Sequence, residues 1–127
     1  MPDRTSSNKE AAVNFLQLNV SGRIKEAYDR YVDMNGRHHN PYFAGDFPAL
    51  KQAQLENHVQ FPHKQITIAH VLADGDLVAV HALVVPAPGA KGVAIVHLYR
   101  FAAGKIVELW DIGQPVPDDS PNKHGMF

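Results

Sequence analysis

The stretch from Val93 to Val116 limits the possible folds more than any other part of the sequence. It holds two apolar runs of strand length, and Ala102 to Lys105 between them is typical of a tight turn. Because side chains two apart in a strand share a face, His97 and Asp111 each lie among apolar neighbours. An unpaired titratable group is costly to bury, so each must either have a structural partner or face a pocket.

Hydrophobic periodicity predicts the other elements. The predicted helices start after Ser7 or Asn8, near Ile24, and at Asp46 as N-cap, the last ending before Pro62. Alternation predicts two more strands, Gln65–Ala73 and Leu77–Val85, with Ile66, Ile68, His70 and Leu72 on one face of the first. The segment from Met34 to Asp46 is rich in turn formers and is expected to be an irregular pocket wall.

Three helices followed by four strands in a meander indicate an α+β fold. A strongly twisted sheet of this length would curl around the helices and enclose a cavity. The length of 127 residues suits one domain, covering 1–127, with residues 1–7 expected as a flexible tail.

Composition excludes several classes of function. The net charge is −1 and no basic block is present, so nucleic acid is not an expected partner. The absence of cysteine excludes disulfides, thiolate chemistry and cysteine-based zinc sites. Since no secretory h-region and no apolar run of membrane length is visible, we expect a cytoplasmic protein that does not bind membranes.

Four motifs of the chain form a recognisable set: His39-Asn40-Pro41, Ala103-Gly104-Lys105-Ile106-Val107, Glu108-Leu109-Trp110-Asp111-Ile112 and Gln114-Pro115-Val116-Pro117. Together they resemble the SnoaL-like polyketide cyclases of the nuclear transport factor 2-like superfamily. The closing segment, Asn122 to Phe127, resembles a bacterial subgroup of predicted aldol-condensation enzymes.

The resemblance implies a cone-shaped antiparallel sheet wrapped around the N-terminal helices, with a deep apolar pocket at its open end. It also implies a homodimer and no cofactor. In the family's cyclases an aspartate on the last strand is the general acid/base, and the matching residue here is Asp111. Relatives in the subgroup often carry an acidic residue where this chain has His97, which is a departure from the pattern.

The candidate catalytic residues are Asp111, His97, His81 and His39. Burial in an apolar cone is expected to raise the pKa of Asp111 towards neutrality. Both strand histidines, His97 and His81, would point towards Asp111 if neighbouring strands present these positions on the same face of the sheet. The alternatives are structural: core histidines bonded to a tyrosine or a carbonyl, and an aspartate paired with Arg100 or Arg37 or bonded to a backbone amide. The expected substrate-binding residues are Asn40, Phe43, Tyr99 and Gln114.

The preferred hypothesis is an enzyme that moves a proton α to a carbonyl of an apolar small molecule, in aldol cyclisation, isomerisation or dehydration. The alternative is a module of the same fold that binds a small ligand without chemistry. No HxH or HExxH spacing supports a metal site. A homodimer is expected through an outer sheet face formed by Val78, Val80, Ala82, Val84, Ala94, Val96 and Leu98.

Overall fold

The computed structural model describes residues 4–127, which form three helices and five strands. In chain order these are α1 (Arg4–Val20), α2 (Ile24–Tyr31), β1 (Val32–His38), α3 (Phe47–Gln60), β2 (Gln65–Asp74), β3 (Leu77–Val85), β4 (Val93–Ala102) and β5 (Lys105–Pro115). The predicted α+β class is confirmed. Within the described range, no helix combines the length and the apolar character that crossing a bilayer requires.

The helix starts show where local sequence signals were reliable. Helix α3 begins as predicted, because the side chain of Asp46 accepts the backbone N–H of Ala49 at 2.8 Å. Helix α1 begins at Arg4, so residues 4–7 are helical and the predicted tail is wrong there. Asn8, a predicted cap, lies within α1 and is buried, since tertiary packing overrides its weak helix propensity. Residues 1–3 of the predicted tail lie outside the described residues.

The sheet has the order β1-β5-β4-β3-β2. Strands β2 to β5 form the predicted antiparallel meander, and β1 adds a parallel strand along β5. The sequence predicted irregular structure from Met34, but residues up to His38 belong to β1. This strand is short, polar and without apolar alternation, so periodicity could not reveal it.

Gly36 allows β1 to lie close to β5. A Cβ at this position would lie 2.3 Å from the carbonyl oxygen of Val107 and 2.8 Å from the ring of Phe47. We expect Gly36→Ala to lower the free energy of unfolding by about 1–3 kcal/mol, because the backbone at Val107 or the ring of Phe47 must move to make room for the Cβ. Urea denaturation measures this loss. Gly45→Ala is the control, since its Cβ would meet nothing closer than 3.5 Å, and equal stability of the two variants would contradict the expectation.

Two bulges change which side chains face the helices. Arg100 pairs with Glu108 but Phe101 pairs with Ile106, so Val107 is an extra residue in β5. Ile106 is therefore fully buried with Phe101, although strict alternation predicted it on the face of Glu108.

The second bulge lies in β2. Ile68 pairs with Ala82 and His70 pairs with His81, so Ala69 is the extra residue. His70 and Leu72 consequently lie on the face of the sheet opposite to Ile68. The prediction that these residues share one face is therefore wrong. A bulge of one residue leaves no mark on an alternating pattern.

The core lies between the inner face of the sheet and the helices. Phe15 of α1 packs edge-on against Tyr28 at 5.3 Å and against Tyr99 at 5.8 Å between ring centroids. On β3, Val78 and Val80 have no exposed surface and belong to this core.

The predicted outer face combined residues from both sides of the sheet. Val78, Val80 and Ala82 are in the interior, whereas Ala94, Val96 and Leu98 are on the opposite side. The strand register explains this, because Val80 pairs with His97 and His81 pairs with Val96. The composition predicted for the outer face is therefore wrong, and the homodimer itself stays a prediction.

Candidate active site

The hairpin of β4 and β5 places His97 and Asp111 directly opposite each other. Nδ1 of His97 lies 3.1 Å from Oδ1 of Asp111, and Nδ2 of Asn40 donates to Oδ2 at 3.2 Å. The side chains of His97 and Asp111 are only 11% and 23% exposed. The sheet thus brings together an acid and an imidazole in a largely water-free position, and their catalytic roles stay predictions.

The second nitrogen of His97 has no hydrogen-bond partner among the described residues. With Nδ1–H donated to Asp111, Nε2 is the unprotonated atom of the neutral ring. This unpaired Nε2 is also buried. Leaving a polar atom buried and unpaired costs about 1–3 kcal/mol, so a ligand that hydrogen-bonds to it would gain affinity.

His97 borders a cavity of about 190 Å³ between α1, α3 and the sheet. Asn19, Gln54, Asn57 and Lys64 supply its other polar groups. Its apolar wall consists of Leu16, Val20, Ile66, Val84 and Ile95. An apolar cavity of about 150 Å³ is large enough for benzene, so this space suits a ligand of one or two small rings.

Asp111 lies behind His97 rather than on the cavity wall. Burial opposes its charge, but hydrogen bonds from His97 and Asn40 and electrostatic interactions with His97 and His38 outweigh burial, so the pKa of Asp111 lies below its ordinary value. The prediction of a raised pKa was wrong because it counted burial alone. An ionised Asp111 is suited to orient the imidazole and to stabilise its protonated form.

The surrounding phenols stay protonated. Burial, and next the negative charge of Asp111, raise the pKa of Tyr28 and of Tyr99. Tyr28 donates its hydroxyl to Oε1 of Gln54 at 2.7 Å. The Tyr99 hydroxyl is buried without a partner among the described residues, and its ring stacks on His97 at 6.2 Å.

His81 does not meet Asp111. It lies on the opposite face of the sheet, where its ring stacks on His70 at 5.3 Å and contacts Phe127 at 5.0 Å. In the register of β3 with β4, His81 pairs with Val96, so it cannot share a face with His97. The expected convergence of the two strand histidines on Asp111 was therefore wrong.

His39 is also on the opposite face. Its Nε2 lies 2.7 Å from Oε2 of Glu108, and its ring stacks on Trp110 at 4.9 Å. The buried histidine of this segment is instead His38, which donates to the carbonyl of Ala44 at 2.6 Å and accepts the N–H of Asn40 at 3.1 Å. With both nitrogens occupied, His38 has a structural role.

The four predicted substrate-binding residues do not line this cavity. Asn40 binds Asp111 instead, Tyr99 is fully buried in the core, and Phe43 is 46% exposed. Gln114 lies in a depression on the opposite face, beside His81. Asn19, Gln54 and Lys64 line the cavity but were not predicted from the sequence. Asn19 had a recognisable signal, since it continues the buried stripe of Phe15 by one helical turn.

Glu108 contacts two arginines and a histidine on the opposite face. Its carboxylate lies 2.7 Å from His39, 2.8 Å from Arg37 and 3.3 Å from Arg100. The hydrogen bonds from His39, Arg37 and Arg100 outweigh burial and lower the pKa of Glu108 to about 2. Arg37 and Arg100, the structural partners considered for Asp111, therefore bind Glu108 instead.

This ion cluster predicts a pH dependence of stability. A carboxylate whose pKa is lower in the folded than in the unfolded state stabilises the protein at pH values above its unfolded-state pKa. This contribution disappears as the pH falls through the folded-state pKa. We expect Glu108→Gln to lower the free energy of unfolding by about 1–2 kcal/mol at neutral pH, since exposed partners are screened. The difference in stability between wild type and Glu108→Gln should disappear as the pH falls from 4.5, the ordinary pKa of glutamate, to about 2.

Urea denaturation across this acid range tests the prediction, with Glu10→Gln at an exposed position as the control. A stability difference for Glu108→Gln that persists at the lowest pH, or is absent at neutral pH, would contradict it.

Among residues 4–127, no group of three or more histidine and acidic side chains is placed to hold a metal ion.

The family profile for the SnoaL-like domain matches residues 12–109. No protein with a curated description matches the sequence significantly.

Solved structures share the fold at low sequence identity. A protein assigned as a polyketide cyclase from Acidithiobacillus ferrooxidans has 21% identity and a TM-score of 0.71, covering 89% of this chain and 92% of that chain. AclR from Streptomyces galilaeus, assigned as a hydroxylase, has 17% identity and a TM-score of 0.73, covering 87% and 90%. An NTF-2-like protein from Burkholderia xenovorans has 17% identity and a TM-score of 0.73, covering 93% and 90%.

Proposed function

The chain belongs to the SnoaL-like domain family, and we propose that it is a small enzyme that transfers a proton α to a carbonyl group of an apolar small molecule without a cofactor. The observation that carries the proposal is the buried, unpaired Nε2 of His97 beside a cavity of about 190 Å³. His97 takes up and returns the proton, and Asp111 holds the ring.

The His97–Asp111 pair has the features of a general base. The hydrogen bond at Nδ1 selects the tautomer whose lone pair is on Nε2. When Nε2 takes up a proton, the ionised Asp111 stabilises the resulting imidazolium in a site with little water. This role differs from that implied by the family cyclases, because here the imidazole, and not the carboxylate, contacts the cavity.

The same cavity supplies a donor for the charge that develops on the carbonyl oxygen. Asn57 lines the cavity, and because its amide oxygen accepts from Lys64, its NH₂ group is left to donate to a ligand. Preorganised donors in a water-poor site stabilise an enolate more strongly than water does. Aldol cyclisation, isomerisation and dehydration all pass through this enolate, so the proposal covers the step that they share.

Exchange of α protons for deuterium tests this step without knowledge of the natural substrate. β-Tetralone in deuterated buffer is followed by proton NMR, and its binding is followed through the backbone amide signals of Ile95 and His97. We expect exchange above the buffer rate. Binding at the cavity with exchange no faster than in buffer would contradict the proposal and would favour the ligand-binding alternative.

A further inference from the structure

The cavity contains a positive charge that no acidic side chain neutralises. Lys64 lines it and is half-buried, and the polar groups beside it are Asn19, Gln54, Asn57 and His97, none of them acidic. Its Nζ donates to the amide oxygen of Asn57. Among residues 4–127, no carboxylate forms an ion pair with Lys64.

Burial makes this charge expensive to keep. Loss of hydration lowers the pKa of Lys64, and no carboxylate compensates for it. An ammonium group has three donors, and the Asn57 amide oxygen occupies one of them. The other donors and the net charge therefore remain for a ligand that enters the cavity.

Gln54 offers a second donor to the same ligand. Its Oε1 accepts the hydroxyl of Tyr28 at 2.7 Å, and Tyr28 remains protonated because it is buried. This contact fixes the amide orientation and leaves the NH₂ group of Gln54 as the part that can serve a ligand. Lys64 and Gln54 thus combine a cation with a neutral N–H donor, a pair that suits the two oxygens of a carboxylate.

We propose that Lys64 and Gln54 bind a carboxylate group, so that the substrate is a small keto acid whose skeleton is otherwise apolar. This inference rests on the proposed function and names its substrate class. The carboxylate binds at Lys64, and the carbon that loses a proton lies at Nε2 of His97. A ring with one carboxylate matches a cavity of about 190 Å³.

A titration with benzoate and with its neutral counterpart benzamide tests the inference. Backbone amide spectra report the dissociation constant through residues on the cavity wall, such as Ile95 and Val84. A hydrogen-bonded ion pair in a partly buried site favours the anion by about tenfold or more. We expect benzoate to bind at least about tenfold more tightly than benzamide, and Lys64→Met to abolish this preference.

Two variants control for indirect effects. Lys64→Arg keeps the charge and should retain part of the preference for benzoate. Lys123→Met removes an exposed cation of the C-terminal segment and should leave the preference unchanged. Benzoate that binds no more tightly than benzamide, or a preference that survives in Lys64→Met, would overturn the inference.

The outcome of this titration is independent of the test of catalysis, because benzoate binding involves no proton transfer. His97→Gln should stop α-proton exchange and still prefer benzoate. If Lys64→Met slows the exchange of β-tetralone but leaves benzoate binding unchanged, Lys64 acts on the carbonyl oxygen and the carboxylate site is disproved.

Discussion

Replacing His97 with glutamine is expected to slow the exchange of α protons of β-tetralone by about 10²–10⁴-fold, the usual contribution of a general base. Glutamine keeps a polar side chain of similar reach but cannot accept a proton at neutral pH. The rate constant is measured by proton NMR in deuterated buffer. The binding of β-tetralone should change little, so the loss should appear in the rate at saturation.

Asp111→Asn separates orientation from proton transfer. The asparagine amide can donate to Nδ1 of His97 and thereby favour the tautomer with its proton on Nε2, which cannot act as a base. We expect a substantial loss of exchange with the fold intact. Exchange at the wild-type rate in both His97→Gln and Asp111→Asn would contradict the assignment of the base.

Phe15→Ala is expected to lower the free energy of unfolding by about 3–5 kcal/mol, the largest change in stability that we predict. Phe15 is 1% exposed, and its ring packs against Tyr28 and Tyr99. Truncation removes buried apolar surface and leaves a void between α1 and the sheet. The edge-on contacts of the two tyrosines with the ring are lost as well.

Urea denaturation monitored by circular dichroism measures this effect. Phe43→Ala is the matched control, because the same truncation at a side chain that is 46% exposed should cost much less. Phe15→Leu should lie between the two, since leucine fills part of the void. A loss in Phe15→Ala no larger than in Phe43→Ala would show that α1 does not pack as described.

Strong local signals in the sequence predicted most of the fold. The cap at Asp46 and the strand from Leu77 to Val85 were placed correctly because each depends on neighbouring residues. Strand β1 was missed because a polar strand is stabilised by its pairing with β5, which is distant in sequence. The bulges at Ala69 and Val107 were missed for the same reason, since a bulge is defined by the partner strand.

The candidate site was predictable only where alternation was uninterrupted. The stretch from Leu109 to Asp111 and the middle of β4 have no bulge, so His97 and Asp111 were placed together correctly. His81 was misplaced because strand register, rather than the sequence of one strand, decides which residues of neighbouring strands share a face. The polar cavity wall brings together distant residues such as Asn19 and Lys64, which no local pattern connects.

The tautomer of His97 is the most direct test of the central claim that Asp111 holds the ring so that its Nε2 is free to act on a ligand. A long-range proton–nitrogen correlation spectrum of the imidazoles shows which nitrogen carries the proton when the ring is neutral. The structure predicts a proton on Nδ1 and a bare Nε2, whose signal shifts when β-tetralone binds. A neutral His97 with its proton on Nε2, and unaffected by Asp111→Asn, would contradict the claim.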